Sequence, residues 1–587
     1  MKKTRKNTNK PKTTQTQKTG KIRPQEDSVN HFYWILLIII IVSGLYFRTV
    51  DYALEGIKGD APLILAAGLL WFYPHDFHPS LMQYNPTVPN YLIASGCMLS
   101  GEDFSAISNA KPFFIPNIPA LIGRPYAAAE NYCFIPVYIA SILVFLGLIT
   151  FSLIMLNKKV ALFAIAFFAY NPTLLSMGRN IYTWVFVWMV SIYGIIVFWK
   201  YYDEKKGSKK ELIYAAITGA IFGIALGTKF TLALFFLFSI FLIIEKYKDN
   251  IKKETLKIPI PLIKSMAIFL IIYSITAMIP FEMNPKNFYD TYHAMTTYQE
   301  GADIKLSTGT LGALAQILPN FNIIDTLLFL YSIFIFYTIA KKKDKTKKEK
   351  YLLYYIILFL LSTTFIGNVL GGTRSLPFFF GIPILMALAF SDKEYSIFSK
   401  LKIDHSKRTQ IIYAIIIIYI ILSIFTLYPI KPYYQLRTNT ITCTIINNSF
   451  CNPLPYPYEK KIDQELAKIL KEKETFYIPS TYTGEGYFYI RQDDYYYIWL
   501  LKEYIKKQYN IKPSIYDIIM NFNVDNRTIK YIVLIPNTPV DEEKRIIETT
   551  TPTKVLEIKN IPVAYIYDVD TLPEIKKYRE SQPKSQS

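Results

Sequence analysis

The stretch Lys58-Gly59-Asp60-Ala61-Pro62 is followed by the apolar run Leu63 to Tyr73, so Asp60 stands just before an amphipathic or interfacial helix. A carboxylate held at a membrane–water boundary is suited to take a proton from a sugar or other hydroxyl acceptor. The same spacing suits a helix cap, because Asp is a favoured N-cap and Pro is tolerated in the first turn. Further on, His75-Asp76-Phe77-His78-Pro79 places two histidines and an aspartate together. Such a set, with Glu55 earlier in the segment, could contact substrate or hold a divalent metal. Histidines three apart beside a proline nevertheless lack a third and fourth ligand at a known spacing. The prolines of Tyr84-Asn85-Pro86-Thr87-Val88-Pro89 fit a re-entrant loop over the membrane surface.

A second group of chemical residues is cationic. Arg124, Arg179, Lys229 and Arg374 each lie in or beside an apolar stretch, where a charge is costly. An anionic lipid head group satisfies them, with Arg offering a bidentate fork to phosphate oxygens and Lys a point charge. Snorkelling to the interface, or pairing with Glu130, Asp51 or Glu55, would satisfy each of them equally well.

The elements that must position these groups are legible in the hydropathy. Of 587 residues, 51% are hydrophobic and 19% charged, below the quarter or so charged in soluble domains. The apolar residues gather in long runs such as Ile411 to Leu427. Runs near 20 residues match the hydrocarbon thickness, and inside it only helices satisfy an isolated segment's backbone. Spans are expected near 32–48, 134–156, 159–175, 181–199, 212–228, 230–245, 259–280, 321–340, 351–369, 375–391 and 410–428. The net charge of +20 does not mark a nucleic-acid partner, because the cations flank the apolar runs. Lys2 to Arg23 precedes the first span. Lys158–Lys159, Lys205–Lys210, Lys246–Lys257, Lys341–Lys350 and Lys400–Arg408 follow every second span. That alternation marks cytoplasmic loops. The first span, with about 30 residues ahead of it and no small-residue cleavage site, reads as an uncleaved anchor.

The expected architecture is an all-α polytopic membrane domain of about eleven transmembrane helices (31–428) with a C-terminal extracytoplasmic α/β domain (429–575). A basic cytoplasmic tail (1–30) precedes it and a polar tail (576–587) follows. The first outer loop (48–133) and a second (281–320) are long, which concentrates function on the outer face. Strands are expected at Thr475–Ile478, Tyr487–Ile490, Ile529–Ile535 and Val563–Tyr567, and helices at Asp463–Lys473 and Tyr496–Gln508. All four cysteines fall outside the membrane on this topology. The plausible disulfide pairs are Cys97 with Cys133 and Cys443 with Cys451.

At these residues the chain resembles the polytopic GT-C glycosyltransferases, in particular the protein O-mannosyltransferase and aminoarabinose transferase branch. Gly59-Asp60-Ala61-Pro62-Leu63 with Leu69-Leu70 is similar to that family's first-loop acidic motif and interfacial helix. Pro79-Ser80-Leu81 to Tyr84-Asn85-Pro86, with Tyr91-Leu92-Ile93-Ala94, resembles its proline-rich segment, and Arg124 lies where the family has an arginine. Asn171-Pro172-Thr173-Leu174-Leu175 with Arg179, Gly223 to Phe230, and Arg374 to Pro383 resemble later motifs. Two positions depart from the pattern: Ala61 follows Asp60 where a Glu is expected, and Trp184 stands near the place of a family Asp. The absence of a Trp-Trp-Asp motif sets the chain apart from the oligosaccharyltransferase branch.

The resemblance implies a transferase that moves a hexosyl or pentosyl group from a polyprenyl-phosphate-type lipid to a protein, glycan or lipid acceptor outside the membrane. Asp60 would be the general base, and Arg124, Lys229, Arg374 and Arg179 would hold the lipid phosphate. It implies no certain cofactor, the lipid-linked sugar being substrate and a divalent metal possible. The alternatives are a catalytically inactive scaffold of the same architecture, which Ala61 and Trp184 favour, and a transporter or flippase for a lipid-linked anion. A transporter places polar residues at the bilayer midplane within broken helices and repeats, and neither is evident.

Overall fold

A computed structural model describes residues 31–49, 61–82, 88–110, 118–171, 174–175, 183–253, 258–301, 323–366, 379–392, 394–396, 405–427, 469, 474–477, 528–534, 546, 548–558 and 561–581. The described part is mostly helical. Its longer helices are α1 (His31–Thr49), α2 (Ala61–Leu69), α3 (Val88–Met98), α4 (Ile118–Met155), α5 (Lys158–Tyr170), α6 (Trp184–Asp203) and α7 (Lys209–Leu226). There follow α8 (Ala233–Lys253), α9 (Ile260–Met278), α10 (Pro285–Gly301), α11 (Ile323–Lys341), α12 (Lys347–Ile366), α13 (Gly381–Ser391), α14 (His405–Leu427) and α15 (Pro573–Ser581). Each of the eleven expected spans overlaps one of these helices. Six stretches among the described residues are long and apolar enough to cross a membrane: His31–Thr49, Ala129–Met155, Trp184–Asp203, Phe230–Ile251, Ile260–Phe281 and Ile323–Lys341. The chain is a membrane protein.

The core is built on α5. Every residue from Val160 to Tyr170 is buried, as expected of a helix that is apolar all round. It packs on α1, α4, α13 and α14. Asn157 caps its start, accepting a hydrogen bond from the Val160 amide. A second group, α6, α7 and α9, packs closely through glycines: Gly219 and Gly223 of α7 lie against the backbone of α9 at Phe269 and Tyr273.

The first outer loop holds more helix than hydropathy predicts. Val88 to Met98 is helical because Pro89 sits in the first turn, where a missing N–H costs nothing. The expected re-entrant loop is thus, over these residues, a short helix. α4 starts at Ile118, well before the apolar stretch begins, and carries Arg124 and Glu130 on its first turns. A disulfide joins Cys97 of α3 to Cys133 of α4, closing a 36-residue separation. α2 crosses α3 at Gly68, where an added Cβ would lie 2.1 Å from the Asn90 carbonyl oxygen. The Gly68→Ala variant is expected to lose about 1–3 kcal/mol of stability, read as a lower melting temperature in detergent. An unchanged melting temperature would show that the two helices part without cost.

Toward the C-terminus, β1 (Glu474–Tyr477), β2 (Thr528–Leu534), β3 (Lys554–Ile558) and β4 (Ile561–Asp568) form one sheet in the order β1-β2-β4-β3. β1 runs parallel to β2, and the other two pairs are antiparallel. One face carries the buried Phe476, Val533 and Ile566, and the other the buried Ile532, Leu534 and Tyr567. Three of the expected strands fall on β1, β2 and β4, whereas β3 was not expected. The strand expected at 487–490 and the helix at 496–508 lie outside the described residues, as does the helix at 463–473 but for residue 469.

Candidate functional site

One end of the bundle gathers the chemistry. There α1 and α5 finish, α7 and α9 finish, and α6 begins. Arg48 ties the first pair together. It is 2% exposed, and its guanidinium donates to the carbonyls of Gly44 (2.9 Å), Ala169 (3.2 Å) and Phe168 (2.8 Å). Its plane lies over Phe145 at 4.2 Å. The last carbonyls of a helix lack intrahelical partners, so Arg48 satisfies the end of α5 while closing α1. Sequence reasoning passed over Arg48, since an arginine closing an apolar span reads as a snorkelling residue.

Lys229 follows the end of α7. Its backbone amide still donates to Ala225 at 2.9 Å, and the chain there turns extended before a 3₁₀ turn at Phe230–Leu232. The half-buried side chain places its ammonium 5.2 Å from the Trp184 ring centroid. A cation over an indole is worth about 0.5–2 kcal/mol, more as water is excluded. Trp184, the departure from the family's acidic position, thus faces the lysine expected to hold phosphate.

A run of rings extends from Lys229 into the outer loops. Phe230 stacks on Phe281 (6.2 Å, 10°), Phe281 on His78 (6.1 Å, 24°), and His78 meets Trp71 edge-on at 5.5 Å. Phe288 and Tyr292 of α10 close on Phe230 edge-on, each at 5.8 Å. The first-loop segment 71–82, α7, the end of α9 and α10 therefore meet here. Val88 donates to the Gly227 carbonyl at 3.4 Å, and Gly227 lies against Pro280 with no room for a side chain.

His78 is the polar member of this cluster. It precedes a 3₁₀ turn at Pro79–Met82 and acts as its cap: the Ser80 amide donates to Nδ1 at 3.3 Å, and Nδ1 lies 2.6 Å from Ser80 Oγ. Its Nε2 and the Trp71 Nε1 are both buried and neither makes a hydrogen bond of full geometry among the described residues, the Pro280 carbonyl being the backbone acceptor near the His78 ring. Burial pushes the His78 imidazole below its ordinary range, against the opposing pull of Glu282. His75, by contrast, turns its Nδ1 to the Tyr73 carbonyl at 2.9 Å. Among the described residues no group of three His, Cys, Asp or Glu could hold a metal. Among the described residues the histidine pair has no third ligand beside it, so it forms no metal-binding group there by itself. Asp60, Glu55, Arg179, Arg374, Cys443 and Cys451 lie outside the described residues. Arg124 lies on α4, its side chain outside them.

Residues 83–289 match the family model described as dolichyl-phosphate-mannose-protein mannosyltransferase. The matched stretch contains Arg124, Trp184 and Lys229, and starts after Asp60 and His78. Among solved structures, similarity extends to ArnT from Cupriavidus metallidurans bound to undecaprenyl phosphate (10% identity, TM-score 0.47, 93% of this chain and 99% of that one). It extends also to the oligosaccharyltransferase AglB from Archaeoglobus fulgidus in complex with an inhibitory peptide and a dolichol-phosphate (10% identity, TM-score 0.42, 86% and 69%). A third is the Archaeoglobus fulgidus oligosaccharyltransferase with Zn and sulfate (12% identity, TM-score 0.40, 85% and 68%). Sequence comparison with curated proteins gave no match.

Proposed function

We propose that this chain, which resembles the GT-C glycosyltransferases and matches a mannosyltransferase family over residues 83–289, moves a sugar from a polyprenyl-phosphate lipid to an acceptor on the extracytoplasmic face. The N-terminus is then cytoplasmic, the helical domain spans 31–428 with about eleven crossings, and the segment 429–575 lies outside. The observation that carries this reading is Lys229, half-buried over Trp184 inside the matched stretch, where both outer loops converge. A partly desolvated cation at the water boundary is where a lipid phosphate is neutralised.

The reaction follows from the groups assigned. Asp60 takes the proton of the acceptor hydroxyl as its oxygen bonds to the anomeric carbon. The bond from that carbon to the phosphate oxygen breaks in the same displacement, with inversion, and the lipid phosphate leaves as an anion. Lys229, with Arg124, Arg374 and Arg179, stabilises the charge appearing on that phosphate. The outer C-terminal segment binds the acceptor or covers the site. No step is assigned to a metal.

The test is loss of labelled sugar from several polyprenyl-phosphate donors in membranes holding the full chain, compared with Lys229→Gln. A hydrogen bond or ion contact to a charged group is worth about 1.5–3 kcal/mol, so the variant should lose roughly 10- to 100-fold in kcat/KM. Full activity in the variant would remove Lys229 from the site. Turnover of no donor by the parent chain would overturn the transferase reading in favour of the inactive scaffold.

A further inference from the structure

Thr291 links α10 to the first outer loop through a buried hydrogen-bond chain. The chain runs from Thr291 Oγ1 to Ser80 Oγ and on to His78 Nδ1, with Ser80 and Thr291 both fully buried. The two hydroxyls lie 211 positions apart in sequence. α10 reaches this place because two consecutive non-glycine residues, Glu282 (φ 57) and Met283 (φ 56), adopt the left-handed conformation after α9. Such a conformation in two non-glycine residues is strained and persists where the surroundings hold it. Here the Glu282, Met283 and Asn284 amides fold back on the carbonyls of Ile279, Met278 and Phe281, each at 3.0 Å.

The proton positions in this chain follow from the one group that can only donate. The Ser80 backbone N–H points at His78 Nδ1, so Nδ1 is an acceptor and the neutral ring carries its proton on Nε2. The Ser80 hydroxyl then donates to Nδ1 as well and accepts from Thr291. Thr291 shares its proton between Ser80 and the Asn287 carbonyl at 2.7 Å. What remains is His78 Nε2–H, buried and with only the nearby Pro280 carbonyl, outside full hydrogen-bond geometry, to receive it, on a ring in edge contact with that of Trp71, whose Nε1–H has no partner among the described residues. Two neighbouring buried donors without a well-formed hydrogen bond carry a desolvation cost that a ligand oxygen relieves.

We propose that Thr291 and Ser80 are positioning residues that hold His78 as its Nε2-protonated tautomer, so that His78 and Trp71 together donate to an oxygen of a ligand entering between the first outer loop and α10. The oxygen belongs to a sugar or to a phosphate. This inference deepens the transferase reading and rests on it for the ligand's identity, while the tautomer is a property of the resting protein.

The experiment uses the full chain in lipid nanodiscs, labelled with ¹⁵N-histidine, with the His78 resonances assigned through His78→Asn. The expected result at neutral pH is a neutral ring protonated on Nε2. Undecaprenyl phosphate and a lipid-linked hexose are then added separately. A shifted Nε2 signal with the first identifies a phosphate oxygen; a shift with the second alone identifies a sugar oxygen. No shift with either, or a proton on Nδ1, overturns the proposal. Thr291→Val removes the hydroxyl at constant shape and should broaden or move the His78 signals, raising KM roughly tenfold with kcat little changed. Thr291→Ser should restore both. A Thr291→Val protein with the parent's spectrum would overturn the positioning role even where sugar transfer is confirmed. A parent chain that transfers no sugar yet shows the tautomer and its loss in Thr291→Val would fail the transferase reading alone.

Discussion

Replacing Asp60 by Asn should lower sugar transfer by roughly 10²- to 10⁴-fold, the usual worth of a positioned general base, while leaving the protein folded. The substitution separates the two roles that the sequence allows. Asp60 immediately precedes α2, which begins at Ala61 with Pro62 in its first turn, and Asn caps a helix about as well as Asp. Asn therefore keeps a cap and loses a base. The measurement is the initial rate at saturating donor, with the melting temperature taken on the same preparation. A large fall in rate at an unchanged melting temperature assigns the base. Parental turnover in Asp60→Asn would make the residue a cap and send the search for the base to Glu55 or Asp51.

The largest effect on stability is expected at the other end of the bundle. Glu211 is fully buried in the first turn of α7, where its amide donates to the Ser208 hydroxyl and its carboxylate receives the Gly207 amide, a reciprocal cap. The same carboxylate pairs with Lys246 at 2.9 Å and accepts the Tyr247 hydroxyl at 2.9 Å. Lys246, itself buried, also donates to the Tyr201 carbonyl and lies over the Tyr201 ring at 4.4 Å. Glu211→Ala strands an ammonium inside the bundle together with a phenol and an amide. Removing one partner of a buried pair costs about 3–5 kcal/mol. Replacing both, as in Glu211→Ala with Lys246→Met, should recover much of that loss, because two apolar side chains leave no charge to strand. Unfolding in graded denaturing detergent measures both. Equal stability of the single variant and the parent would mean that water reaches Lys246.

The contrast between these two ends shows what a sequence discloses. Helices such as α1, α9 and α11 announce themselves, because burying an apolar run in hydrocarbon needs no knowledge of the partner. The first half of α4 does not: Arg124, Glu130 and Asn131 lower its hydropathy although they leave the helix intact. α3 was obscured by its proline, Pro89, whose effect depends on whether it falls in a first turn or a middle one. At the candidate site, Lys229 was legible as a cation set beside apolar residues. His78 was visible only as half of a pair that could contact substrate or a metal. Its actual partners are Ser80 and, through it, Thr291 on α10, a residue from a loop that gave no helical signal. Trp184 was noted as a departure from an acidic pattern, but nothing in its spacing told that its ring would face Lys229. Spacing reveals neighbours along one helix, whereas these contacts join segments far apart in the chain.

The all-round burial of α5 has a consequence for biogenesis. With 13 residues it is about 20 Å long, short of a hydrocarbon layer of about 30 Å. Its enclosing partners α13 and α14 begin at Gly381 and His405, more than two hundred positions downstream. During synthesis α5 must therefore stay with α1 and α4 as an unfinished wedge while the chain between is threaded into the bilayer. The native core closes only after α14 has emerged from the ribosome. A chain interrupted before that point presents the translocon and membrane quality control with a helix that the finished fold buries on every side still uncovered on one of them.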